Sequence, residues 1–147
     1  MSYAFDANVL LYASDRASPF HRRAVEFLGE CASRNEIFYV TWPTVMAYLR
    51  IATHPAIFRV PLSPHDAMRN VESLLSLPHA RVLGEEDGFW DAYRRATQEL
   101  SIRGNLVPDG HVAALLLQHG VRQFYTNDVD FRRLAFLDVR NPFTPAP

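Results

Sequence analysis

At 147 residues, 48% of them apolar and 12% aromatic, the chain has the length for one domain with a real core and is too apolar to be disordered. A formal net charge of −1 excludes a nucleic-acid binder that grips by bulk basicity, so any RNA contact must be local. All fifteen basic residues are arginine, which excludes P-loop phosphate binding, Schiff bases and aspartyl-phosphate sites with a lysine partner.

No apolar run reaches the roughly 18 residues that span a bilayer. The N-terminal MSYAFDANVLLYASD lacks a basic leader segment, so a cytoplasmic location is the expectation. The single Cys31 rules out an internal disulfide framework and a Cys-based zinc site, and reads as a small, half-buried helix residue.

In chain order, residues 3–5 form an apolar strand that ends at Asp6. The period then changes, and Val9, Leu10 and Tyr12 or Ala13 have helical spacing. Ser18-Pro19 reads as an N-cap with proline at the first helical position, opening a helix through Ala24, Phe27, Leu28 and Cys31. Residues 37–40 are a β-type run, and 41–53 a helix stopped by His54-Pro55. Ser63-Pro64-His65-Asp66 repeats the cap signal and opens a helix through Leu77. Residues 81–83 are a short strand. A helix follows over about 87–101, with Phe89, Trp90, Tyr93, Ala96 and Leu100 on its apolar side. Pro108-Asp109 opens another, striped by Val112, Leu115 and Leu116 and closed by Gly120. Residues 124–126 are a strand, 128–134 a short helix and 136–139 a last strand, before a Pro-rich surface tail from about 141. The alternation predicts one α/β domain over 1–147, a mostly parallel sheet with helices on both faces.

In such sheets ligands bind at the carboxyl ends of the strands. Asp6 and Asn8 follow the first strand, and Asp128 and Asp130 follow Thr126 at the end of the Phe124 strand. Asp109 opens the helix before that strand. Each acid has a plainer explanation, since Asp6 and Asp128 suit N-caps and Asp109 suits the positive end of its helix. Together they point further. Clustered carboxylates repel unless a cation neutralises them, and a hard, oxygen-seeking Mg²⁺ or Mn²⁺ fits best. Such ions serve phosphodiester hydrolysis. Asp6 and Asp109 lead this set, then Asp128, with Asp130 behind them.

The segments FDANVLLYA, LRIATHPAIF, NLVPDGHVAALLLQHG and FYTNDVDFRRL, in this order, resemble the PIN-domain ribonucleases, specifically VapC-type toxins of VapBC toxin–antitoxin modules. The resemblance covers nearly the whole chain. It implies an α/β/α sandwich and an endoribonuclease dependent on Mg²⁺ or Mn²⁺. It also implies neutralisation by a VapB-like antitoxin and pairing of protomers as homodimers. By position, Asp6 matches the family's first metal-binding aspartate and Asp109 the later one that shares the ion. Asp128 matches the acid of the T-N-D motif, and Asp130 is the second acid of D-x-D-F. Asn8 and Thr126 match polar positions that orient the acids or a metal-bound water.

One departure stands out. Relatives often carry Glu before an aromatic-Leu-Arg sequence, and here Ala47 precedes Tyr48-Leu49-Arg50. Either the remaining aspartates suffice, or Glu85 or Glu86 substitutes, or the change inactivates. The last case gives the alternative function, a catalytically weak or dead module that binds RNA or antitoxin. Arg132 and Arg133, just past Asp130, are the arginines best placed for RNA or antitoxin. Trp42, Phe89 and Trp90 read as core or dimer packing, His65-Asp66 as a capping turn, and His111 as a half-buried helix residue.

Overall fold

The computed structural model describes residues 2–144. Its strands are β1 (Tyr3–Phe5), β2 (Phe38–Thr41), β3 (Ala80–Leu83), β4 (Gln123–Tyr125) and β5 (Asp138–Arg140). Its helices are α1 (Ala7–Ala13), α2 (His21–Ser33), α3 (Trp42–Ala52), α4 (Pro64–Leu75), α5 (Phe89–Thr97) and α6 (Val107–Gln118). Two 3-10 turns, Gly104–Leu106 and Val129–Arg133, complete the described elements. The sheet order is β3-β2-β1-β4-β5 and every pairing is parallel.

Strand alternation divides the core between the two faces of the sheet. Tyr3 and Phe5 point to one face and pack with Phe27, Phe38, Val40, Val45 and Tyr48 from the α1–α4 side. Ala4 and Phe124 point to the other and meet Val112, Ala113, Leu116 and Phe131. The result is an α/β/α sandwich. The strand order reverses between β1 and β4, so the carboxyl ends of these two strands border the crevice where such sheets bind ligands.

Most local signals act as expected. Ser63 caps α4 by accepting from the Asp66 amide at 3.1 Å. Thr41 caps α3, and Gly120 adopts a left-handed φ of 69° after α6. Four expectations need correction. The Ser18 hydroxyl accepts from the Phe20 amide at 3.1 Å, so Ser18-Pro19 forms a turn and α2 starts only at His21. A hydroxyl caught two residues on favours a turn over a helix start. The helix expected over 87–101 shortens to α5, since Gly88 sits at φ 85° before it, and its inner face is Ala92 and Ala96. Trp90 is therefore 69% exposed and stacks on Tyr93 at 5.6 Å outside the core, while Trp42 is 44% exposed. The segment from 141 is only partly a surface tail. Pro142 is buried, and Phe143 packs against Tyr12 and Phe20, each at 5.1 Å. Residues 145–147 of the expected tail lie outside the described residues. Cys31 is buried rather than half-buried.

Candidate active site

The crevice is built from the two central strand ends. Asp6 closes β1, and its amide donates to the Tyr125 carbonyl at 3.0 Å, the last rung toward β4. Its Oδ1 accepts from the Ala7 amide at 2.8 Å and so caps α1. Its Oδ2 accepts from Thr126 Oγ1 at 3.0 Å. The capping reading and the site reading of Asp6 thus coexist, with one oxygen serving each.

Thr126 is the hub. It is 1% exposed, and its hydroxyl oxygen also accepts from Asn8 Nδ2 and from the Asp128 amide, both at 3.0 Å. Asn8 Nδ2 reaches Asn127 Oδ1 as well, at 2.6 Å, and Asn127 donates onward to the Tyr12 hydroxyl at 3.2 Å. Asn8 Oδ1 is buried and has no hydrogen-bond donor among the described residues. Asn127 is a participant that sequence reasoning missed, although it sits inside the T-N-D motif.

Asp128 caps the following 3-10 turn by accepting from the Asp130 amide at 3.0 Å. Phe131 anchors that turn, buried against Phe124 with ring centroids 4.9 Å apart. Asp109 arrives from the opposite side in the first turn of α6. The next residue, Gly110, lets α6 approach α5 and the following loop, because a Cβ there would lie 3.2 Å from Tyr93 and 3.3 Å from Thr97.

Asp109, Asp128 and Asp130 each offer a carboxylate oxygen within 4.8 Å of the others, a group that could hold a metal ion. Asp6 flanks this triple closely enough to repel it. Burial, then the charges of Asp128, Asp6 and Asp130, push the Asp109 carboxyl up to about 7. Burial also raises Asp6, aided by Asp128 and opposed by the bonds from Ala7 and Thr126. A divalent cation would relieve this repulsion, and an all-oxygen donor set suits a hard ion.

Ala47 lies half-buried on α3 and offers no ligand atom. Neither glutamate enters the triple in its place. The Glu85 carboxylate pairs with His111, whose ring also contacts Phe89, and the Glu86 amide donates to Gln118 Oε1 at 3.2 Å. Arg132 and Arg133 part company across the 3-10 turn. Arg132 lines a cleft toward α2 and β5, whereas Arg133 lines recesses toward α5 and α6.

The comparisons with known proteins agree with this architecture. Residues 3–137 match the family model described as PIN domain. Ribonuclease VapC48 of Mycobacterium tuberculosis is 42% identical over 144 residues, covering 98% of this chain and 99% of that protein. The crystal structure of M. tuberculosis VapC20, described as a sarcin-ricin loop cleaving toxin, has a TM-score of 0.67 at 16% identity, covering 94% of this chain and 98% of that one. The structure of VapBC2 from Rickettsia felis, bound to a promoter DNA fragment, has a TM-score of 0.66 at 16% identity, covering 96% and 98%. These two structures share the fold. The chain belongs to the PIN-domain family, among the VapC ribonucleases.

Proposed function

We propose that the four aspartates form the metal site of an endoribonuclease toxin, with Mg²⁺ as the working ion and Mn²⁺ an acceptable substitute. The observation that carries this reading is the oxygen-only triple of Asp109, Asp128 and Asp130, with its unrelieved repulsion at Asp109. A bound divalent ion supplies positive charge against the negative charge that develops on the scissile phosphate, and promotes ionisation of a nearby water. Asp109, Asp128 and Asp130 would hold it, with Asp6 completing the negative wall. Thr126 orients Asp6 through its donated hydrogen bond, and Asn8 fixes the Thr126 hydroxyl in turn. Exposure of Asp130 leaves the site open to a strand of RNA.

The same reading includes a VapB-like antitoxin as partner, a homodimer and a cytoplasmic location. Its support is the family membership and the VapBC assembly named among the structural neighbours. Among the described residues no helix is long and apolar enough to cross a membrane. Co-expression with the neighbouring small reading frame tests the partner, and sedimentation of the free protein tests the dimer.

Ala47 favours a second reading, a module that binds RNA or antitoxin without turnover. RNA cleavage with Mg²⁺ and with EDTA, run beside calorimetric metal titration, separates the two. The enzyme reading expects Mg²⁺-dependent cleavage that Asp6→Ala lowers by on the order of 100-fold. Metal binding without cleavage would select the module, and undiminished cleavage by Asp6→Ala would sink the site assignment.

A further inference from the structure

The carboxylate site carries an electrostatic problem for a nuclease. A cluster of acids repels the polyanion it must cut, and the chain's net charge of −1 provides no general attraction. Compensation has to come from a positive surface next to the site. An open cleft of about 480 Å³ meets that need, where α2 faces the ends of β4 and β5. Arg23, Arg34, Arg132 and Arg140 line it, together with Glu30 and Tyr125.

These residues are far apart in sequence and converge only through the fold. Arg34 and Arg140 both interact with the Tyr125 side chain, which β4 places directly before Thr126. Arg132 shares the 3-10 turn with Asp130, two residues away, so the turn that carries an acid of the site also supplies one wall of the cleft, although none of the four aspartates lines it. Glu30 faces Arg23 at 2.9 Å and Arg34 at 3.6 Å, and Asp138 faces Arg140 at 3.0 Å. Arg132 makes no hydrogen bond or ion pair among the described residues. Arg23 also faces Glu26 at 3.8 Å, so four guanidinium groups against three carboxylates leave an excess of one positive charge. The ion pairs are all more than a third exposed, hence weak and exchangeable. Guanidinium forks suit phosphate oxygens, which they bind in bidentate fashion.

We infer that the cleft between α2 and the β4–β5 edge is a subsite for the phosphate backbone of the RNA strand, lying outside the carboxylate site and feeding it. The inference rests on the ribonuclease reading, and the arginine forks together with the turn shared by Arg132 and Asp130 favour RNA over an acidic protein segment as the occupant.

The test is fluorescence anisotropy of a labelled, short single-stranded RNA of mixed sequence, titrated with metal-free protein between about 50 and 200 mM salt. The double variant Arg34→Ala/Arg140→Ala should bind about tenfold or more weakly. Its slope of log K against log salt should flatten by about 1.4, the value for two lost phosphate contacts on a single strand. Arg132→Ala, which breaks no hydrogen bond or ion pair among the described residues, should flatten it by about 0.7. Arg34→Lys/Arg140→Lys should keep the slope, and Arg22→Ala, exposed on α2 and paired with Glu26, should change nothing. No RNA binding by the wild type, or unaltered affinity and slope in both arginine-to-alanine variants, would overturn the inference. So would loss of binding to a decaglutamate peptide with RNA binding intact, which would assign the cleft to an acidic protein. Cleft-dependent RNA binding without Mg²⁺-dependent cleavage would support the subsite and sink the enzyme reading instead.

Discussion

Replacing Asp109 by Asn should stabilise the metal-free protein while destroying its metal site. The carboxyl is raised from its ordinary 3.8 to about 7, chiefly by burial and then by Asp128, Asp6 and Asp130. At about 1.4 kcal/mol per unit this would amount to about 4 kcal/mol for a shielded group. Asp109 is half-buried, and solvent screening brings the figure nearer ~2 kcal/mol. Against it stands the loss of a favourable charge in the first turn of α6, worth about 0.3–1 kcal/mol. The net gain is then at least about 1 kcal/mol, or roughly 2–6 °C in Tm for a domain of this size. The sign in pH follows from linkage. A folded-state pKa above the unfolded one means stability is whole below about 4 and is lost as pH rises through about 7. The advantage of Asp109→Asn should therefore be full at pH 8 and fall to about two-fifths of that at pH 5, where only the unfolded chain has ionised Asp109. Thermal unfolding in EDTA at both pH values measures it. Saturating Mn²⁺ should reverse the order, because an ion at a hundredfold its Kd adds about 2.7 kcal/mol to the wild type. A variant less stable than wild type in EDTA at pH 8, or with a gain independent of pH, would refute the reasoning.

Substitutions at three further positions separate capping, orientation and packing around the same site. Asp6→Ala and Asp6→Asn should both lower RNA cleavage by on the order of 100-fold. Asp6→Ala should also be less stable than Asp6→Asn by about 1 kcal/mol in urea, because only alanine deletes the α1 cap. Thr126→Val keeps the shape but leaves Asp6 Oδ2, Asn8 Nδ2 and the Asp128 amide without their shared partner, costing roughly 1–3 kcal/mol in urea unfolding. Thr126→Ser should recover most of that. Phe131→Ala empties the buried contact with Phe124 and should cost about 3–5 kcal/mol. By loosening the turn that carries Asp128 and Asp130, it should also weaken Mn²⁺ binding in calorimetry.

The acids were legible because their signals are local. Asp6, Asp109 and Asp128 each stand where an apolar run changes period, and strand–helix alternation alone puts such positions at the carboxyl edge of a parallel sheet. The capping explanation for Asp6 and Asp128 was equally legible, since the same residues supply one oxygen to the helix or turn start and keep the other for the site. What escaped notice depends on distant partners. The order β3-β2-β1-β4-β5 is set by long-range pairing, and the arginine cleft joins α2, the second 3-10 turn and β5. Local patterns misled where one contact overrode them. The Ser18 hydroxyl was captured by Phe20, Gly88 delayed α5, and Phe143 packed onto Tyr12 and Phe20 instead of joining a free tail.

Ala47 makes the occupancy of the site the decisive issue, because a missing acid weakens any second ion more than the first. Crystals soaked in Mn²⁺ and measured at the manganese absorption edge address it most directly. The account predicts an anomalous peak among the carboxylates of Asp109, Asp128 and Asp130, in the group whose oxygens lie within 4.8 Å of one another. An empty triple at saturating Mn²⁺, or a peak only elsewhere on the molecule, would contradict it.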